Sequence, residues 1–354
     1  MPMLSDARRV TPESIDELAE TMRAADRDDA AMSFEGGATE FELGYPPERV
    51  HIVVATKRLD RVVEYAPDDM TVTVEAGVTL AALQTALAEH GQRLALDAPL
   101  PERATVAGLL ATNGFGPRRA RFGTIRDMLL GICFVRAGGV VVRGGGKVVK
   151  NVAGFDVPKL LVGSLGTLGC VATATLRLHP LPEAQAEVTV RVPSSSALRA
   201  FCMGLLSAQL EPSAVVALNR ADGFDVMVLF EGFSAGIDQQ TKTCVERALA
   251  LQLCAQHGGA DASEFWSKHQ QSRTSGQVRA KVTFAPSSLP ELYEAALSKH
   301  ARTFGDGAVT IYPTVGVAFC TASHADAALV EAALSSGRAV AERLGGSLTV
   351  LAAP

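Results

Sequence analysis

The sequence predicts an α+β protein of two domains. Three observations carry this. The 354 residues are enough for two domains of ordinary size. The second half mixes strand and helix patterns in an order that suits an antiparallel sheet with helices on one face rather than a doubly wound parallel sheet. Between the halves, Pro180 and Pro182 close a strand-like run, since proline cannot continue a sheet interior. The boundary is placed there, giving domains 1–183 and 184–354.

The elements follow in chain order. Thr11-Pro12-Glu13 has the residues of a helix start, a capping hydroxyl followed by proline and an acid, with Ile15, Leu18, Ala19 and Met22 forming one apolar stripe. Strands are predicted at residues 31–34, 51–55 and 71–74, the last alternating as a half-buried strand does. A helix starts at Thr79, carries Leu80, Leu83 and Leu87 on one face, and stops at Gly91. Residues 105–116 are rich in small side chains. Strands at 130–136 and 139–143 lead to Gly144-Gly145-Gly146-Lys147, read as a β-turn. A glycine-dense run from Gly163 to Gly169 precedes a strand from Val171 to Leu178. In the second half, helices are predicted at 194–209, 237–257, 288–299 and 324–344, with strands at 214–219, 224–231, 278–284, 308–320 and 347–351.

Composition excludes several functions. A net charge of −5 argues against nucleic acid, because phosphate binding needs a basic surface. The most apolar stretch, residues 128–142, is broken by Arg136 and glycines, so it reads as buried strands and not as a membrane span. The first residues lack a basic region followed by an apolar one, so no secretory signal is read and a cytoplasmic location is expected, either free or peripheral at the inner face of the membrane through partners. The six cysteines, at 133, 170, 202, 244, 254 and 320, have no metal or cluster spacing and read as buried reduced thiols. No metal site is expected.

Glycine lets backbone approach a ligand closely, and consecutive inward amides make an anion nest. Glu35-Gly36-Gly37-Ala38-Thr39 follows a strand, where it forms either such a nest or an ordinary tight turn. It is not a dinucleotide fingerprint, since no G-x-G-x-x-G with a later acid is present, and Gly144–Lys147 is not a P-loop. Gly163-x-x-Gly166-Thr167-x-Gly169 is denser than a turn requires and suggests backbone set against a flat ligand or another strand.

The order of four segments is more specific than any one of them. They are residues 65–80 (Tyr65-Ala66-Pro67 through Val78-Thr79-Leu80), Thr105–Gly108 with Asn113-Gly114, Lys150-Asn151 through Phe155-Asp156, and Val162–Gly169. Together they resemble the FAD-binding domain of the vanillyl-alcohol-oxidase/PCMH flavoprotein superfamily. Gly116-Pro117-Arg118-Arg119 and Gly123-Thr124-Ile125-Arg126-Asp127 are similar to the FAD-binding subunits of bacterial glycolate oxidase complexes. The resemblance covers residues 30–182 strongly and reaches weakly to Phe265-Trp266 and Leu344-Gly345-Gly346. It implies a two-subdomain PCMH-type FAD-binding domain followed by a smaller cap domain of antiparallel sheet and helices.

The resemblance implies that Glu35, Gly36, Gly37, Ala38 and Thr39 wrap the pyrophosphate. Thr105, Val106, Ala107, Gly108, Asn113 and Gly114 would line the flavin and ribityl chain. Gly166, Thr167, Leu168, Gly169 and Val171 would contact the adenine side or the isoalloxazine edge. The first loop has no histidine, so non-covalent FAD is expected. Leu165 stands where relatives often carry a polar residue. Relatives continue past Leu344-Gly345-Gly346 to a segment ending Asn-Pro-Gly that closes over the cofactor, whereas this sequence runs to Leu351-Ala352-Ala353-Pro354; weaker FAD affinity or cover from a partner is expected.

Oxidising a 2-hydroxy acid needs a base and a cation for the carboxylate beside the flavin. No base is identified. His257, His269, His300 and His324 read as surface or capping residues. Arg118, Arg119 and Arg121 read equally as attractors of an acidic substrate or FAD phosphate and as a basic loop or subunit contact. Lys150-Asn151 falls near the flavin by resemblance or ends a strand. Asp127 and Asp156 are expected to pair with Arg126 and Lys159. The function implied is a FAD-binding glycolate oxidase subunit that passes electrons to a larger flavoprotein subunit and an iron–sulfur subunit. The alternatives are a non-catalytic structural or assembly subunit, and a UDP-sugar enolpyruvyl reductase.

Overall fold

Helix α1 (Ile15–Arg27) starts three residues later than Thr11 would place it. Ser14 is the cap, its hydroxyl accepting from the Glu17 amide at 3.2 Å, with Asp16 and Glu17 in the first turn where the helix dipole favours acids. Leu18, Ala19 and Met22 form its buried face, as their spacing requires. The computed structural model describes residues 7–147, 155–258, 262–323 and 326–354. The chain divides into two units, Met1–Gly116 with Phe122–Leu181, and Pro117–Arg121 with Pro182–Pro354.

The first unit has a three-stranded parallel sheet, β1 (Arg8–Val10), β2 (Met32–Glu35) and β3 (Ile52–Ala55), in the order β1-β3-β2. An antiparallel sheet of β4 (Val62–Ala66), β5 (Thr71–Glu75), β7 (Leu129–Arg136), β8 (Val140–Gly145) and β9 (Cys170–Arg177) has the order β4-β5-β9-β7-β8. Residues of α1, β3, β7 and β9 share one core, with Met22, Val54, Val135 and Ala172 among them. Helix α2 (Leu80–Ala88) buries the predicted Leu80, Leu83 and Leu87. Three short helices complete the unit: α3 (Val106–Thr112), α5 (Ile125–Met128) and α6 (Val157–Leu161).

Two sequence expectations fail here. Gly144 and Gly145 continue β8, paired with Ile132 and Gly131, because a strand opposite Gly131 needs no side chain at that point. Pro180 does not end a sheet: β10 (His179–Pro180) pairs with β6 (Gln92–Arg93) in a two-stranded ladder, an edge position where a missing N–H does no harm.

The second unit is built on an eight-stranded sheet in which every pairing is antiparallel. Its strands are β11 (Ala184–Val192), β12 (Ala214–Arg220), β13 (Gly223–Gly232), β14 (Cys254–His257), β15 (Val278–Thr283), β16 (Ala308–Tyr312), β17 (Val317–Ala322) and β18 (Ser347–Ala352). The order is β14-β11-β13-β12-β16-β17-β15-β18. Helices α7 (Ser195–Ser207), α8 (Ser234–Ala250), α10 (Leu289–Leu292) and α12 (Ala327–Arg343) share one apolar core with alternate strand residues such as Val190, Val228, Ala280 and Ile311. A π-helical turn, Tyr293–Leu297, joins α10 to α11 (Ser298–Thr303). Helix α9 (Ala262–Thr274) packs against β16 and β17 through residues of the opposite parity, Thr310 and Tyr312.

The predicted helix over 237–257 ends at Ala250, and β14 replaces its last turn. The Leu253 amide donates back to the Ala248 carbonyl around Gln252, which takes a left-handed φ of 59° without a glycine. Five cysteines are buried as expected, but Cys254 on edge strand β14 is exposed. His269 and His300 are buried rather than superficial, and His257 lies on β14. His324 lies outside the described residues.

Candidate functional site

Strand β2 ends at Glu35, whose carboxylate takes a two-point ion pair from Arg9 on β1, with contacts at 2.6 and 3.0 Å. The chain then turns through Gly36 and Gly37 to Ala38, which holds a left-handed φ of 52°. Among the described residues nothing accepts from the amides of Gly36, Gly37, Ala38 or Thr39. The glycines are set by sterics: a Cβ on Gly36 would stand 2.2 Å from Thr105 Oγ1, and one on Gly37 would stand 1.7 Å from the Arg103 carbonyl oxygen. The Arg103 guanidinium donates to the Gly37 carbonyl at 3.1 Å, which brings a cation beside the open amides. Sequence reasoning missed Arg103, because a lone exposed arginine before a helix carries no pattern.

Thr105 caps α3, its hydroxyl accepting from the Gly108 amide at 3.2 Å. The small-residue segment is therefore a helix rather than an open loop, and most of its leading amides are already committed. Val106 donates to Val78 and Ala107 to Ala76, at 2.9 and 3.1 Å. Val106 is fully buried. This stretch holds the turn in place and offers a ligand little backbone of its own. At its other end Asn113 closes α3 in a left-handed conformation, and Gly114 donates to the Leu109 carbonyl. Among the described residues the buried Asn113 Oδ1 has no partner, an orphan acceptor of the kind a bound group satisfies.

The third segment docks on the second. Gly163 and Leu165 donate to the Leu110 and Ala111 carbonyls at the end of α3, both at 2.9 Å. A Cβ on Gly166 would stand 3.0 Å from the Phe34 ring of β2. Thr167 turns inward, its amide and hydroxyl both donating to the Ser164 carbonyl. Leu165 and Leu168 remain exposed. Gly169 and Val171 serve the sheet instead: a Cβ on Gly169 would stand 2.5 Å from the Val135 carbonyl oxygen, and Val171 is buried on β9 opposite Phe134. The structure thus brings residues 36–39, 105–114 and 163–168 into one neighbourhood. Lys150 and Asn151 lie outside the described residues.

Arg118 and Arg121 are not open to an incoming anion. Arg118 forms a two-point pair with Glu231, at 2.9 Å from Nη2, and the Glu231 carboxylate is almost wholly buried. Arg121 donates to the Glu231 carbonyl at 2.8 Å and meets the Glu211 carboxylate at 3.4 Å. A buried carboxylate demands a cation, and these arginines fill that demand within the second unit. Arg119 lies beside them on the short helix α4 (Arg119–Phe122). Asp127 does not pair with Arg126: it accepts from the amide and hydroxyl of Thr124, capping α5. Asp156 does pair with Lys159, at 2.9 Å.

The second unit holds a buried polar cluster that the sequence did not reveal. His269 Nε2 lies 2.8 Å from the Tyr312 hydroxyl, which also accepts from Arg273. The Arg273 guanidinium stacks 3.6 Å from the Phe319 ring centroid, and Arg279 is buried on neighbouring β15. Burial, with the Arg273 charge beside it, pushes the His269 pKa down to about 3, so the imidazole is neutral at physiological pH. Its Nδ1 is buried without a partner.

Residues 7–145 match the family model described as FAD binding domain. This chain contains an FAD-binding domain. FAD is accordingly its cofactor, and the first unit fits it: uncommitted amides and a cation for a pyrophosphate, walls that admit no Cβ, and an orphan acceptor at Asn113. A D-lactate dehydrogenase of Archaeoglobus fulgidus is 35% identical over 171 residues, 48% of this chain and 38% of that protein. The glycolate oxidase subunit GlcE of Escherichia coli is 34% identical over 168 residues, 47% of each. The chain spans about half the length of the curated relatives it matches. Among solved structures, p-cresol methylhydroxylase with substrate bound superposes with a TM-score of 0.75 at 13% identity, covering 98% of this chain and 82% of that one. Alkyldihydroxyacetonephosphate synthase gives 0.76 at 19%, covering 96% and 72%. These likenesses show the fold, a mixture of helices and antiparallel sheet shared with p-cresol methylhydroxylase, as the sequence predicts. No helix among the described residues is long and apolar enough to cross a membrane.

Proposed function

We propose that this chain is the FAD-binding subunit of a glycolate oxidase-type complex, oxidising a small 2-hydroxy acid and passing electrons to a larger flavoprotein subunit and an iron–sulfur subunit. The observation that carries the reading is the convergence of the open Gly36–Thr39 amides, Arg103, the Asn113 acceptor and the 163–168 loop. The names of the relatives from Archaeoglobus fulgidus and Escherichia coli support the substrate class.

In this reading the amides of Gly36, Gly37, Ala38 and Thr39 hold the pyrophosphate, and Arg103 balances its charge. Gly108, Asn113 and Gly114 face the flavin and ribityl chain. Leu165 and Leu168 exclude water from the ring edge. Bound FAD supplies hydride acceptance. In the second unit, the Tyr312 hydroxyl accepts from Arg273 and lies against His269 Nε2, to which it can pass its proton. FAD is held without a covalent bond, since the first loop has no histidine.

The test is an absorbance spectrum of the purified chain, reconstituted with FAD, followed by anaerobic addition of glycolate or D-lactate with and without partner subunits. A flavin band that bleaches, and that passes into the supernatant on acid precipitation, is expected. Failure to take up flavin overturns the cofactor assignment. One observation favours the second reading, a non-catalytic subunit: a buried histidine with a pKa near 3 is a weak base. Flavin that neither acid reduces, even with partners present, selects that reading.

A further inference from the structure

The helix layer of the second unit holds a pocket of about 150 Å³ that opens to solvent at one side. It lies among α11, α12, the π-helical turn and the sheet residues Ala280, Val282 and Cys320. Interiors are packed to the density of organic crystals, and the apolar floor of this pocket lacks packing partners on one side. The sequence nevertheless keeps it open. Ala295 and Ala296 line it from the π turn, and Ala333 and Gly337 from α12, so four small residues leave the space unfilled. The π turn adds one residue to the helix at this point, a distortion that recurs where helices bind ligands.

The floor of the pocket is apolar with one buried ring of mixed character, and the exposed Lys299, Thr303 and Ser336 form its rim. His300 is 9% exposed, and its Nε2 lies 3.2 Å from the Thr321 carbonyl. A carbonyl only accepts, so Nε2 carries the proton and Nδ1 keeps a lone pair. Burial lowers the pKa of this imidazole, outweighing the Thr321 bond and the Asp306 charge, which both favour its protonation. The floor of the pocket therefore offers a neutral acceptor among methyl groups.

We propose that this cavity binds a single uncharged aromatic ring bearing a hydroxyl, a molecule of the phenol class. An apolar cavity of about 150 Å³ is the size that takes up benzene. The hydroxyl adds a hydrogen bond to His300 Nδ1. A charged ring is disfavoured, because on the apolar floor it loses its hydration, and the exposed, solvent-screened Lys299 at the rim returns little of that cost. The site is separate from the FAD-binding unit and from the His269–Tyr312 cluster, so its test does not depend on flavin chemistry.

The experiment titrates the full chain with phenol, benzene and benzoate, followed by amide NMR and thermal unfolding. Saturable shifts confined to residues 293–303, 333–337 and 348 are expected, with a concentration-dependent rise in the unfolding midpoint. Phenol should bind about five-fold more tightly than benzene, the effect of one net hydrogen bond, and His300→Leu should remove that difference. Ala296→Leu or Ala333→Leu, whichever keeps its circular dichroism, should weaken phenol at least ten-fold. Should both leucine variants unfold, the shift map of the unaltered chain decides. Absence of saturable binding, shifts outside these residues, or benzoate binding more tightly than phenol overturns the proposal.

Discussion

In the first unit the groups offered to a ligand are backbone: the Gly36–Thr39 amides, with side chains kept away by the clashes at Gly36 and Gly37. In the second unit the buried polar groups are side chains committed to one another: a carboxylate answered by arginine, and a histidine, tyrosine and arginine in contact. The first kind of site is damaged by adding one carbon. The second is damaged by removing a charge or a hydroxyl. The two units should therefore respond in opposite ways to the same mutational scan.

The largest expected effect is in the second unit. Arg118→Ala leaves the Glu231 carboxylate buried without its cation, and should cost about 3–5 kcal/mol in chemical denaturation. A loss under about 1 kcal/mol would mean that Glu231 is hydrated, and would weaken the contrast. Next is Gly37→Ala in the first unit. Its Cβ meets a backbone carbonyl that cannot rotate away, so about 1–3 kcal/mol and at least a ten-fold loss of FAD affinity are expected. Titration of the apo-protein with FAD measures the latter.

Third comes a coupling. Thr105→Ala alone should cost about 1 kcal/mol as a lost helix cap. It also removes the oxygen that stands 2.2 Å from a Cβ on Gly36. Gly36→Ala should therefore be less harmful in the Thr105→Ala background, by about 1 kcal/mol in a double-mutant cycle. Additive costs would show that the glycine serves the ligand alone.

The last contrast is in pH dependence. The His269 pKa is held near 3, below its ordinary 6.5, so its neutral form contributes stability that is full above 6.5 and is lost as pH falls towards 3. Glu75 in the first unit is also depressed: burial raises its pKa, but hydrogen bonds and charge from Arg61 outweigh that. Its contribution is full above its ordinary 4.5 and is lost only below it. Acid unfolding monitored by proteolysis should open the second unit at the higher pH, and His269→Phe should flatten the stability curve between 6.5 and 3.

The backbone turns and caps of the first unit were legible in the sequence because glycine and capping residues announce conformations. Gly36-Gly37, Thr105 and Asn113 each stand where the chain turns, caps or closes. Side-chain sites give no such notice. His269, Arg279, Tyr312 and Phe319 come from different elements, and only tertiary packing turns two histidines that read as superficial into buried ones. Strand β4 was missed because Val62 and Val63 are exposed and break the alternation that marks a half-buried strand. Strand β11 was missed because it starts directly behind Pro182, where only a boundary was read. The end of α8 was missed because Gln252 takes the conformation usually announced by glycine.

Cys254 makes the chain convenient to label. Burial pushes Cys170, Cys202, Cys244 and Cys320 up to about 12 and raises Cys133 as well, so these thiols stay protonated and shielded. Cys254 faces solvent on an edge strand. A maleimide dye added to the native protein should stop at one equivalent. That would provide a single fluorescent reporter on the sheet of the second unit without engineering a cysteine-free background.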